Sequence, residues 1–221
     1  MTATPQELSR IYHRRFEGTA NYRNKVWQIL TAFFFSRWVA ASDHVLDLGC
    51  GYGEFINNIT AAKKFGMDLN PDAPKHLNHD VEFLHQDCSQ RWQVSEASLD
   101  VIFTSNFFEH LPDKESLNKT LREAWRCLKV GGRLIALGPN VKFLHGRYWD
   151  FYDHHIALTE ASLGEAMEVE GYSLEIVIPR FLPFTMVNAP RYPLALVRLY
   201  LSAPFMWKLK GQQFLVVAKK I

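Results

Sequence analysis

The sequence is poor in cysteine. Its three cysteines, Cys50, Cys88 and Cys127, stand far apart and form no CxxC pair. That excludes a disulfide scaffold and a cysteine-built zinc site, and it fits a reducing compartment. Long apolar runs are also missing, since no stretch approaches the roughly 18 uninterrupted apolar residues of a spanning helix. The opening MTATPQELSR has no apolar core of a secretory signal. The expected location is the cytoplasm, either free or peripheral at the inner membrane face. Internal repeats and low-complexity linkers are absent. At 221 residues, 48% of them hydrophobic, the composition excludes disorder, collagen and coiled coil, and it allows one substantial core.

Acidic residues are missing from one end. Residues 1–41 hold six Arg/Lys and two acids, residues 42–175 hold twelve and twenty-one, and residues 176–221 hold seven and none. An acidic middle therefore lies between two basic ends. Basic ends point to an anionic substrate or surface. The net charge of +2 is weak for a dedicated nucleic-acid binder, and no nucleic-acid partner is expected.

From residue 42 onward, short apolar strands alternate with helical segments. Strands are expected at 44–48, 65–69, 81–85, 99–105, 133–137, 174–178 and 214–218. Helices are expected at 22–40, 53–63, 115–128 and 159–170, the last capped by Thr159 with Ser162 at the capping-box position. Residues 70–77 hold two prolines and leave only a stunted helix. This alternation predicts an α/β fold, a doubly wound parallel sheet whose ligand lies beyond the carboxyl ends of the strands. Residues 1–41, 141–157 and 182–211 fall outside the regular frame.

The most informative segment is VLDLGCGYGEF, residues 45–55. A buried strand runs into Gly49, Gly51 and Gly53. Glycines there permit positive φ and let a ligand approach the backbone. A dinucleotide fingerprint wants G-x-G-x-x-G, whereas this loop reads G-x-G-x-G with Glu54 in place of a neutral residue. A pyrophosphate gains nothing from Asp47 and Glu54, but a cationic sulfonium tolerates both. Asp68, followed by Leu69, ends the second strand, and its two oxygens suit the hydroxyls of a ribose. Asp87, followed by Cys88, ends the third strand and suits an exocyclic amine of adenine. Asn106 and Phe107 end the fourth. Single strand-end acids often serve as caps or turn residues, but four strand ends in this order fit a nucleoside lying across them.

The segments VLDLGCGYGEF, FGMDLNPD, HQDCSQ, LDVIFTSNFFEHL and LKVGGRLIALGPN resemble, in order, the motifs of class I S-adenosylmethionine-dependent methyltransferases. The match covers about residues 42–140. YWDFYDHHIALTEASL, IPRFLPFT and GQQFLVVAKK are similar to a bacterial group of that family whose substrates are poorly defined. The resemblance implies a Rossmann-like, mostly parallel sheet of seven strands with the last one antiparallel. It implies S-adenosylmethionine as cofactor, the three glycines facing its methionine portion, Asp68 on the ribose and Asp87 on the adenine. The expected cofactor set is Asp47, Gly49, Cys50, Gly51, Gly53, Asp68, Leu69, Asp87, Cys88, Asn106 and Phe107. The resemblance also implies an N-terminal helical lid at 1–41, a core at 42–181, an acceptor-side insertion at 182–211 before the last strand, and that strand at 212–221.

The segment 141–157 follows the fifth strand and is crowded with aromatic and titratable groups. His154 or His155, oriented by Asp150 or Asp153, is the expected base for methyl transfer to a small or amphiphilic acceptor, most simply at oxygen. Adjacent His154 and His155 point differently in any regular element, so no metal is expected. Tyr12, Tyr22, Arg23, His110, Arg147, Trp149, Tyr152 and Arg180 are the candidate acceptor contacts. The apolar, basic insertion suits an anionic membrane surface, a homodimer contact or a lid. A nucleotide-dependent oxidoreductase or epimerase, and a non-catalytic cofactor-binding protein, are the competing readings.

Overall fold

A computed structural model describes residues 10, 18–184 and 190–221. Helix α1 (Ala20–Phe33) precedes seven strands: β1 (His44–Leu48), β2 (Lys63–Met67), β3 (Val81–Leu84), β4 (Leu99–Ser105), β5 (Leu128–Pro139), β6 (Tyr172–Ile178) and β7 (Gln213–Lys220). Helices α2 (Lys114–Cys127), α3 (Val141–Leu144), α4 (Glu160–Val169), α5 (Leu194–Leu201) and α6 (Pro204–Lys210) are interspersed. The strand order is β3-β2-β1-β4-β5-β7-β6. Strands β1 to β5 pair in parallel, and β7 runs antiparallel to both β5 and β6.

The central strands are apolar on both faces, as a covered sheet requires. On one face Leu46, Leu48, Ile102, Leu134 and Ala136 pack with Leu117 and Leu121 of α2 and with Leu163 and Met167 of α4. On the other, Val45, Val101, Phe103, Ile135 and Leu137 pack with Val26, Trp27 and Leu30 of α1 and with Leu201 of α5. The order reverses between β1 and β4, so their carboxyl ends open a crevice there.

Local chemistry explains the elements. Asp113 caps α2 by accepting from the Ser116 amide at 2.7 Å. Thr159 and Ser162 form the expected reciprocal capping box on α4. The helix expected at 53–63 does not form. Only single-turn bonds appear, from the Asn57 amide to the Gly53 carbonyl and from the Ile59 amide to the Phe55 carbonyl. The side chains of Asn57 and Asn58 compete for the backbone. Asn57 bonds the His76 carbonyl and the Asn78 amide, and Asn58 bonds the Glu54 carbonyl. Strand β2 then begins at Lys63 rather than at residue 65. The Gly131–Gly132 pair lies inside β5 instead of forming a turn before it, at the irregularity opposite Leu99–Val101. The single helix expected at 22–40 ends at Phe33 and is followed by a 3₁₀ turn, Phe35–Arg37.

The insertion is two short helices held against the body. The Arg180 guanidinium donates to the carbonyls of Gly211 and Leu209. The Trp207 indole donates to the Tyr200 carbonyl and packs on Phe181 and Phe34. Helix α1 joins it: the Tyr22 hydroxyl accepts from the Tyr192 amide and donates to the Tyr192 carbonyl, and Arg191 donates to the Gly18 carbonyl. Among the described residues, no helix is long and apolar enough to cross a membrane.

Candidate functional site

One cleft of about 1310 Å³ lies at the carboxyl ends of the central strands, closed on one side by α1 and the insertion. Its floor is the glycine loop. Gly49, Gly51 and Gly53 have φ of +68°, +52° and +74°, a region that strains any L side chain. A Cβ on Gly49 would stand 2.2 Å from the Phe107 ring, so the residue is fixed by packing as well as by conformation. Asn106 also adopts positive φ, which asparagine tolerates.

Asp68 is held by the loop it faces. Its Oδ2 accepts from the Gly51 amide at 2.8 Å and its Oδ1 from the Asn70 amide at 2.7 Å. Each oxygen retains a second acceptor position. Burial nonetheless raises the Asp68 carboxyl above its usual range, against the lowering effect of those two amides. Asp47 is buried, and its carboxyl is pushed well up by burial and then by the neighbouring charge of Glu54. Glu54 pairs with Arg23 of α1 at 2.7 Å. Burial likewise raises the Cys50 thiol, and it takes the Cys88 thiol to about 12, so neither is a thiolate nucleophile near neutral pH.

Three carboxyls thus crowd a loop of opened backbone. That set repels a pyrophosphate and is relieved by a cation. A sulfonium carrying a ribose fits it: Asp68 offers oriented oxygens to hydroxyls, and Asp47 and Glu54 offer compensating charge. Asp87, whose Oδ1 accepts from the Ser89 amide and hydroxyl, sits further along the same cleft.

Of the residues singled out from the sequence, Asp47, Gly49, Cys50, Gly51, Asp68, Leu69, Asp87, Cys88, Asn106, Phe107, Tyr22, Arg23, His110, Arg147, His154 and His155 line this cleft. Gly53 stands behind the lining, against Leu77 and Asn57. Asp150, Trp149 and Tyr152 are exposed and lie outside the lining. The 3₁₀ turn His145–Asp150 buries Tyr148 and turns these neighbours outward. Arg180 is likewise outside, engaged with the end of α6. Tyr12 lies outside the described residues.

Two further segments, the turn after β4 and the loop before α4, meet in the cleft lining. His110 Nδ1 is 2.9 Å from the Asp153 carbonyl oxygen and 3.3 Å from Asp153 Oδ2, so Asp153, not Asp150, touches a histidine. His154 is buried, with its ring stacked on Phe151 and edge-on to His110. His155 is exposed at the cleft, and its amide donates to the Glu109 carbonyl at 2.8 Å. Glu109 is 2% exposed and escaped the sequence reading. Its one signal is adjacency to His110, and periodicity does not show that a 3₁₀ turn, Phe108–His110, buries it.

Residues 19–176 match the family model described as a methyltransferase domain. No curated protein matches the chain. Among solved structures, a SAM-dependent methyltransferase of Archaeoglobus fulgidus is 20% identical with a TM-score of 0.68, covering 95% of this chain and 98% of its own. A Haloferax volcanii methyltransferase, solved in complex with a methyltransferase activator, is 18% identical with a TM-score of 0.66 and 93% coverage of each chain. A Thermotoga maritima protein described as a possible histamine N-methyltransferase is 17% identical with a TM-score of 0.64, covering 98% of this chain and 95% of its own.

Proposed function

The chain belongs to the methyltransferase-domain family and is an S-adenosylmethionine-dependent methyltransferase, and from that premise we propose that it methylates a hydroxyl oxygen of an amphiphilic small molecule. The observation that carries the acceptor class is the composition of the cleft. Beyond the glycine loop its lining includes the apolar Leu196, Val197, Leu199, Tyr200, Phe205 and Met206 of the insertion and, from other segments, His110, His154 and His155. An apolar body and a hydroxyl head match those two sets of side chains.

Methyl transfer needs in-line alignment and exclusion of water more than covalent help from the protein. S-adenosylmethionine supplies a methyl group already activated by positive sulfur. Asp68 holds the ribose side, and the opened backbone at Gly49 and Gly51 admits the methionine side. His155, exposed at the cleft, takes the acceptor's proton, while buried His154 keeps the segment in register against Phe151 and Tyr148.

The exposed rim that the insertion gives the cleft supports delivery from a membrane. Leu199 and Phe205 of that rim and the neighbouring Leu209 are more than half exposed, beside Arg198, Lys208 and Lys210 and with no acid after residue 175. Apolar side chains among cations are what an anionic bilayer surface binds. A homodimer through the same face is the competing outcome.

The test is mass spectrometry of cell metabolites, lipids included, before and after incubation with the protein and isotope-labelled S-adenosylmethionine. An O-methylated amphiphile is expected. The His155→Gln variant should keep cofactor-product affinity and lose about 10²–10⁴-fold in rate, the usual contribution of a base. An N-methylated product, as the description of the Thermotoga protein suggests for that protein, or near-normal turnover of His155→Gln, overturns the assignment.

A further inference from the structure

We propose that Glu109, His110 and His154 form a binding site for one divalent transition-metal ion on the acceptor side of the cleft. The three come from two segments, the turn after β4 and the loop before α4, which the fold brings together. One ligand atom from each lies within 4.8 Å of the other two. Ligands on a common ion at about 2.0–2.2 Å stand roughly 3.4 Å apart in a tetrahedron, so closing the site takes about 1 Å of side-chain movement.

The surroundings are those of a ligand set. Glu109 and His154 are buried at 2% and 7% exposure, and all three residues line the cleft. The His110 ring is already oriented by a neighbour. The Asp153 carbonyl, 2.9 Å from His110 Nδ1, only accepts, so Nδ1 carries the hydrogen and Nε2 is the ligating nitrogen. That Nε2 is the atom 4.0 Å from Glu109 Oε1. Glu109 is tied in turn to the loop, because its carbonyl accepts from the amides of His155 and Ile156.

Two imidazoles and one carboxylate select zinc, iron, cobalt or manganese over magnesium or calcium, which prefer all-oxygen sets. Three protein ligands leave open positions toward the cleft. There the ion takes the acceptor's hydroxyl oxygen, a role that rests on the methyl-transfer reading, whereas binding of the ion does not. Coordination weakens the O–H bond, whose proton passes to His155, the base of the proposed reaction. The oxygen keeps the electron pair, which then forms the O–CH₃ bond as the S–CH₃ pair stays on sulfur.

The full chain, dialysed against chelator, is titrated with Zn²⁺ by calorimetry, and crystals grown with Zn²⁺ are examined for anomalous scattering. One ion per chain is expected, with an anomalous peak between Glu109, His110 and His154. His154→Gln and Glu109→Gln should each weaken binding at least tenfold while S-adenosylhomocysteine affinity stays unchanged. Wild-type protein that binds neither Zn²⁺ nor Co²⁺ nor Mn²⁺ at millimolar concentration, or a peak elsewhere, overturns the site, whatever the variants do. Zn²⁺ binding at this site without S-adenosylhomocysteine binding would instead overturn the methyl-transfer reading and leave the metal site standing.

Discussion

Arg23 and Glu54 form an ion pair whose Nη2–Oε1 distance is 2.7 Å, with both side chains largely covered at 13% and 16% exposure. The pair binds the helix that closes the cleft to the loop that forms its floor. Arg23 is a candidate acceptor contact from the sequence, and in the fold it lines the cleft while pairing with Glu54, the residue after Gly53. Its Nε also donates to Glu54 at 2.8 Å, so the contact is two-pronged.

Removing Arg23 leaves Glu54 beside Asp47 and Asp68 with less compensation. Arg23→Met should destabilise the protein by about 1–3 kcal/mol, between the values for surface pairs and for fully buried ones. At this chain length each kcal/mol moves Tm by roughly 2–4 °C. Adding Glu54→Gln removes the stranded charge and should restore part of the loss. A double-mutant cycle by denaturant unfolding measures the coupling, and additive losses would show that the pair holds nothing.

Asp47 should make cofactor binding depend on pH. Its carboxyl lies well above the usual value because of burial first and Glu54 second. The folded chain therefore binds this proton more tightly than the unfolded chain does. The associated stability is present below the unfolded value, near 4, and is lost as pH rises through the raised folded value. A cationic ligand favours the ionised form, so cofactor affinity should rise over the same window and binding should release protons. Asp47→Asn should raise the Tm of the ligand-free protein by a few degrees at neutral pH, lower S-adenosylmethionine affinity and flatten its pH dependence. Calorimetry in buffers of different ionisation enthalpy counts the protons. An unchanged pH profile in Asp47→Asn would shift the effect to Asp68, whose carboxyl is raised in the same direction.

The exposed rim formed by α5 and α6 should bind anionic vesicles and release at high salt, since the attraction is screened beyond about 10 Å at 0.1 M. Phe205→Ser with Leu209→Ser should abolish sedimentation with vesicles, because both side chains are about two-thirds exposed and neither holds the insertion in place. Trp207 is unsuitable for the test, because it faces inward onto Phe181 and Phe34. Light scattering at twice 25.6 kDa without vesicle binding would assign the face to a second copy.

By itself, the sequence determined the parts governed by local patterning. The both-faced apolar strands 44–48 and 99–105, the positive-φ glycines after β1, the Thr159–Ser162 capping box and the stunted turn at 73–76 depend on period, conformation and near-neighbour hydrogen bonds. The cleft lining at the strand ends was legible for the same reason: parallel strands end on one edge of the sheet, so Asp68, Asp87 and Asn106 converge once the strands are found. The helix expected after Gly53 was not decided locally, because the amide side chains of Asn57 and Asn58 find partners on residues 24, 54, 76 and 78 that only the fold supplies. The acceptor wall was not legible either. Residues 141–157 have no repeating period, so nothing in their order distinguishes the exposed Asp150, Trp149 and Tyr152 from the cleft-lining Asp153, His154 and His155. Tertiary packing alone buries Tyr148 and Glu109 and carries His154 to His110 across forty-four positions of chain. Contacts at that separation follow from how the two loops dock, and neither loop encodes the other's position.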